Sequence, residues 1–195
     1  MDSDTSRLYP ADALRKLHEG MAVRIMNIVC SLIALGGVAH AQVPPTAAPD
    51  QAALLRSSDP HLAANKKVVF DMWRAIIQGG HTELAPQYFT EGYIQHNPNV
   101  ATGRDAMVAY MKQTRPVRPI QPNITFPVIA IMAEGELVMV ATVSYAPDPL
   151  APGKKYAGTH FDLFRLENGK IAEHWDSVAK DPAALHYDPN TQNRP

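Results

Sequence analysis

The chain has 195 residues, 46% of them hydrophobic, with 18 Lys and Arg against 19 Asp and Glu. That length and apolar content suit one domain with a single buried core. The near-neutral balance, with no stripe of basic residues, leaves no electrostatic footprint for nucleic acid or an anionic membrane and points to small neutral partners.

The N-terminal region reads as a targeting segment. Met21-Ala22-Val23-Arg24 is a basic start, Ile25 to Val38 is mostly apolar, and Ala39-His40-Ala41 is a small-residue cleavage site, the pattern of a secretory signal peptide. The apolar run is too short and badly flanked for a membrane span. Cleavage is expected after Ala41, and the polar character of residues 1–20 argues that Met21 is the initiator. The competing reading, a buried helix of a cytosolic protein, is disfavoured by the cleavage site and by Pro44-Pro45 just after it. The mature product is therefore expected to be periplasmic or secreted and not membrane-bound. Removing residues 1–41 takes away four basic and four acidic side chains and leaves 14 against 15. It also removes Cys30, the only cysteine, so the mature chain would have no disulfide, thiol nucleophile or Cys-based metal site.

Residues 42–58, rich in Ala, Pro and small polar residues, read as a flexible linker. Ser58-Asp59-Pro60 supplies a cap and a first-turn proline for a helix carrying Leu62, Val69, Met72, Trp73 and Ile76, ending near Gly79-Gly80. A shorter helical piece spans 81–89. The stretch Tyr93-Ile94-Gln95-His96-Asn97-Pro98 reads as irregular, and Thr102 is placed to cap a helix from about Gly103 to Gln113. From Asn123 the period becomes that of strands, predicted over 124–133, 136–146, 156–166 and 170–178, with turns at Glu134-Gly135 and Asn168-Gly169. Helices followed by antiparallel hairpins make the class α+β, with the domain over 59–180 and a polar tail, 181–195.

The last hairpin carries the chemistry. His160 and Asp162 are two apart, as are His174 and Asp176, so each pair shares one face of its strand. Whether the pairs share the same face depends on the turn. A two-residue type I′ turn at Asn168-Gly169 sets Asp162 opposite Trp175 and separates them. A three-residue loop Glu167-Asn168-Gly169 with a bulged glycine sets Asp162 opposite His174 and His160 opposite Asp176, so that all four converge. The Asn-Gly dipeptide slightly favours the first, but the second gathers Phe161, Leu163, Ile171 and Trp175 on one apolar face and is preferred. A one-residue slip reverses every side chain.

Convergence would let the ionisable groups perturb one another and raise one carboxyl toward a useful value for acid/base work. The alternatives are a solvated sheet face, an Asp that only orients a His, and an N/O metal site for zinc or iron, which ranks below metal-free chemistry because no helical His-Glu-x-x-His signature accompanies it. His96, in a loop-like setting, is expected nearby, closing the pocket. Glycine-rich nucleotide loops and a Gly-x-Ser-x-Gly elbow are missing from the chain.

Tyr93-Ile94-Gln95-His96-Asn97-Pro98 with Gly103-Arg104, and Phe161-Asp162-Leu163-Phe164-Arg165 followed by the run from Glu167 to Asp176, resemble the SnoaL-like branch of the nuclear transport factor 2 superfamily over most of residues 60–180. The resemblance implies a cone-shaped fold, helices packed in a strongly curved, mainly antiparallel sheet with a central pocket, in a homodimer. It implies pocket acids that work without metal or organic cofactor. Asp176 matches the acid/base Asp of the cyclases by position. His160, Asp162 and Asp176 match the Arg and two Asp of limonene epoxide hydrolase, but His160 stands where the Arg should be, which puts epoxide opening in doubt. The leading expectation is an exported, cofactor-independent enzyme for a small apolar carbonyl compound, of aldol, cyclase or isomerase type. Asp176 would be the acid/base, His160 and His174 would orient it or donate to an enolate oxygen, and Asp162 would fix a histidine tautomer. Tyr93, His96 and Phe164 would contact substrate. The competing expectation is a ligand-binding or interaction module without turnover.

Overall fold

A computed structural model describes residues 43–195. The segment read as a signal peptide, its expected cleavage site and Cys30 lie outside the described residues.

Asp59 caps the main helix as its sequence suggests, its carboxylate accepting the His61 N–H at 2.8 Å. After the short helix α1 (Gln51–Leu54), this helix, α2, runs Pro60–Met72 and continues as π-helical turns over Trp73–Gln78. The widened turns end where the Gly79 N–H donates to the Arg74 carbonyl, five residues back, at 3.0 Å. A 3₁₀ turn (Thr82–Leu84) and α3 (Ala85–Tyr88) follow. Strand β1 (Phe89–Gln95) comes next, then helix α4 (Arg104–Thr114) and strands β2 (Val128–Glu134), β3 (Leu137–Pro147), β4 (Lys155–Glu167) and β5 (Lys170–Asp176).

The five strands form an open sheet in the order β1-β5-β4-β3-β2, antiparallel throughout except for the parallel pair β1 and β5. Helix α2 packs on β2 and β3, and α4 on β1. The shared core includes Val69, Met72, Ile76, Met107, Val138, Val140, Leu166 and Ile171. Burying such side chains is the main term favouring the fold, about 1.5–3 kcal/mol each before conformational entropy is subtracted. The result is α+β with a mainly antiparallel sheet, as expected.

Four local expectations need correction. Residues read as irregular before Asn97 are partly strand, because β1 finds hydrogen-bond partners in β5 that are remote in sequence. Thr102 does not cap α4. Its hydroxyl accepts the Gln95 N–H at 3.1 Å, and Gly103 holds the N-cap position without a side-chain bond. The supposed linker is tied down: Ala48 N–H donates to the Val128 carbonyl, and the Gln51 amide brackets Ile124 through both its N–H and its carbonyl. The polar tail forms a 3₁₀ segment (Pro182–His186) capped by Asp181 and a short helix, α5 (Pro189–Gln192), capped by Asp188.

The hairpin adopts neither anticipated register. Asn168 (φ 51°) and Gly169 (φ 74°) form the two-residue turn, so Glu167 pairs with Lys170 and Leu166 with Ile171. Positive φ at both central positions is what Asn-Gly accommodates. The ladder then shifts. Arg165 pairs with Glu173, leaving Ala172 as an extra residue, and beyond it Phe164 lies opposite His174 and Asp162 opposite Asp176. The bulge sits in the strand instead of the loop. Parity is restored, and His160, Asp162, Phe164, His174 and Asp176 share one face, while Ile171 joins Leu166 in the core instead of Trp175 and Phe161 on the far side.

Candidate active site

The inner faces of β1, β4 and β5 meet the helices and tail around a cavity of about 530 Å³, a size typical of small-molecule sites. Its apolar wall includes Met72, Trp73, Phe89, Met107, Met111 and Phe126. Phe164 also lines it, packing edge-on to Trp73 with centroids 6.3 Å apart and stacking on the His174 ring at 4.7 Å. Its polar wall holds His160, Asp162, His174 and Asp176, joined by Tyr93, Gln95 and Asn97.

Asp162 is the centre of this network. Its Oδ1 lies 3.0 Å from His174 Nε2 and its Oδ2 3.5 Å from His160 Nε2. Burial by itself pushes the Asp162 carboxyl up, but the two histidine hydrogen bonds together outweigh it and hold it below the usual carboxylate range. Asp162 is therefore not the raised carboxyl that crowding was expected to produce. The hydrogen bond to Asp162 lifts His160 above its ordinary value, against the opposing effect of burial.

The second nitrogen of His174, Nδ1, meets Gln95 Oε1 at 2.8 Å. That oxygen also accepts the Asn97 backbone N–H at 3.0 Å, while Gln95 Nε2 donates to the Tyr93 hydroxyl oxygen at 3.0 Å, so the amide orientation is set from both sides. Both ring nitrogens of His174 therefore face acceptor oxygens. Burial, then the charges of Asp176 and Asp162, push the Tyr93 phenol well above its ordinary value. It stays protonated, and because its oxygen accepts from Gln95, its own proton is free to be donated.

Asp176 differs from Asp162. Its Oδ2 accepts from Asn97 Nδ2 at 2.6 Å, whereas its Oδ1 is buried without any hydrogen-bond partner. A shielded, unpartnered carboxylate oxygen on a residue of the cavity wall is a costly arrangement in a resting protein. It is also the arrangement a proton acceptor needs. His160, Asp162 and Asp176 each bring one ligand atom within 4.8 Å of the others, so these three are the residues that could hold a metal ion. His174, with both nitrogens engaged, is not one of them.

His96 does not close the pocket. Alternation along β1 sends Tyr93, Gln95 and Asn97 inward, and His96 turns to the other side, where it stacks on Trp175 at 4.8 Å and meets Glu173 at 3.2 Å. Gln95 and Asn97 are the site residues that sequence reasoning passed over. Their signal was the same i, i+2 spacing that identified His160 and Asp162, hidden because the stretch did not read as strand. The tail is the other omission. Asp181, Ala184, Tyr187 and Asn193 line the cavity, held by Tyr110 Oη donating to the Ala184 carbonyl at 2.9 Å and by the Asp181 N–H donating to Asn99 Oδ1 at 2.8 Å.

A pocketed α+β domain whose polar wall is built by the β1, β4 and β5 strands defines the class, and the sequence assigns the family. Residues 67–183, more than half of the chain, match the family described as SnoaL-like polyketide cyclase, and the chain belongs to it. No curated protein matches the chain. Among solved structures, TsrD from Streptomyces laurentii is 18% identical over 62% of this chain and 90% of its own, with a TM-score of 0.42. A Jannaschia sp. CCS1 protein described as a SnoaL-like polyketide cyclase is 22% identical over 63% and 90%, with a TM-score of 0.43. An LEH-like epoxide hydrolase of M. tuberculosis is 12% identical over 58% and 80%, with a TM-score of 0.41.

Proposed function

We propose that this chain is a cofactor-independent acid/base enzyme acting on a small, largely apolar carbonyl compound, by aldol, cyclase or isomerase chemistry. The observation that carries the reading is Asp176, a residue of the cavity wall: Oδ2 is fixed by Asn97, while Oδ1 is buried and unpartnered. In this scheme Oδ1 takes a proton from the carbon next to the carbonyl. The electron pair moves onto the carbonyl oxygen, which accepts hydrogen bonds from the Tyr93 hydroxyl or the protonated His160. Asp176 then returns the proton, to another carbon in an isomerisation or to the new alkoxide after an aldol closure. Asp162 holds both histidines in place and takes no part in the proton transfer.

The test is solvent deuterium incorporation into small aryl ketones such as 2-tetralone. Asp176→Asn is expected to lower exchange at least about a hundredfold with the fold intact. Equal exchange in wild type and variant removes Asp176 from the mechanism. A non-catalytic binding module would have both carboxylates neutralised by structural bonds. Asp162 fits that description, and the unpartnered Oδ1 of Asp176 does not. The convergence of His160, Asp162 and Asp176 favours one further reading, a metal-assisted reaction. Elemental analysis after gentle purification discriminates: stoichiometric zinc or iron would replace the metal-free scheme. The signal-peptide pattern supports export as part of the proposal, and the N-terminal sequence of the product recovered outside the cytoplasm checks it.

A further inference from the structure

Arg115 is 6% exposed, lines the same cavity and has no carboxylate within 4.0 Å among the described residues. The nearest acidic tail residue, Asp188, is instead taken by Arg118 at 2.7 Å. A guanidinium has five N–H donors and stays charged in proteins, so burying one without a counter-ion is expensive unless something supplies the missing acceptors.

Few of those donors are used. Nη1 donates to the Tyr187 carbonyl at 2.6 Å, Nε is buried with no partner, and Nη2 forms no hydrogen bond among the described residues. The Nε and Nη2 edge is one of the edges with which arginine grips a carboxylate through two parallel bonds. Nor is the side chain placed loosely. The Arg115 N–H donates to the Met111 carbonyl at 2.7 Å, and the guanidinium carbon lies 5.7 Å from the centroid of the Tyr110 ring. The backbone behind it is pressed against Gly80, where an added Cβ would meet the Arg115 carbonyl oxygen at 2.8 Å. A long cation has been seated firmly in a pocket wall with no carboxylate bonded to it, the charge of Asp188 acting on it only through space.

We infer that Arg115 is a substrate-binding residue that takes a carboxylate, so that the ligand is not a neutral apolar compound but an amphipathic acid, with an apolar body between its carboxylate and the reacting carbonyl. This rests on reading the cavity as the substrate pocket and is independent of which residue moves the proton. It also refines the expectation from net charge, since a single buried cation leaves no trace in an overall balance of 18 against 19.

The probes are 2-naphthoate and its methyl ester, matched in shape and differing in charge, with binding to the full chain followed by tryptophan fluorescence and thermal shift. Wild type is expected to bind the acid at least tenfold more tightly than the ester. Arg115→Met should erase that preference while ester binding stays within about twofold, and Arg115→Lys should restore part of it. A purely structural Arg115, tying the tail through Tyr187, would lose acid and ester together in Arg115→Met, which overturns the inference. So does a wild type without preference for the acid, whether both probes bind or neither does. Asp176→Asn should keep the preference, so loss of the acid/base scheme and loss of the anion subsite are read separately.

Discussion

The two faces of the β4–β5 hairpin carry similar residues and hold them differently. Inside, His160 and His174 flank Asp162 in a buried network bordered by Phe164 and the cavity. Outside, His96 meets Glu173 at 3.2 Å, and Glu173 also pairs with Arg165 at 2.7 Å, on a surface where Phe161 is 44% exposed. A histidine beside a carboxylate is thus present on both sides of one sheet. Water makes the difference: the outer pair is solvated and screened, whereas every donor and acceptor inside must be matched by protein or by ligand. On the outer face nothing is left over. On the inner face one carboxylate oxygen, Asp176 Oδ1, remains unmatched.

The most severe way to break this contrast is to insert one residue between Glu173 and His174. Beyond the insertion the ladder would set Trp175 opposite Asp162, turning Trp175 inward and His174 and Asp176 outward. The expected loss is more than about 4 kcal/mol of stability, or no cooperative unfolding transition at all in urea. An insertion variant of normal stability would show that the register of the ladder does not govern the faces.

Asp162→Ala should come next. It strips two histidines of a shared buried partner, and a loss of about 3 kcal/mol is expected by urea unfolding. A change too small to measure would mean that water already satisfies this network.

His160 provides a pH signature. Its folded value is raised above 6.5 by Asp162, so its contribution is fully present below 6.5 and is lost as pH rises through the folded value. The difference in melting temperature between wild type and His160→Gln should therefore shrink as pH climbs above 6.5. Asp162, lowered from 3.8, supplies the acid limb, with stability lost as pH falls below 3.8. A wild-type advantage that grew with pH would contradict the His160 to Asp162 bond.

The mildest test lies outside. Glu173→Gln removes the charge shared by His96 and Arg165, and no resolvable change in melting temperature or in ketone exchange is expected. A large effect on exchange would mean that the outer face communicates with the pocket.

Much of this was legible in the order of residues. Alternation placed His160 with Asp162 and His174 with Asp176, the Asn-Gly dipeptide marked the turn, and Asp59-Pro60 marked the start of the main helix. Local geometry decides such features, and a few neighbouring residues contain it. The cross-strand partners were not legible, because a bulge at Ala172 depends on how β5 packs between β4 and β1. Nor were Gln95 and Asn97, which become inward-facing residues only once β1 pairs with a strand some 80 positions away.

By itself, then, the sequence determined the α+β class and which ionisable residues share each strand face, which follow from periodicity, and the family, which follows from its motifs and the match over residues 67–183. Tertiary structure alone decided that the two hairpin faces differ in solvent, that His96 turns outward, that the tail walls the cavity, and that Arg115 sits buried without an anion. The physical reason is shared. Burial and hydrogen-bond satisfaction are set by residues distant in the chain, and no local pattern records which polar group will be left unmatched.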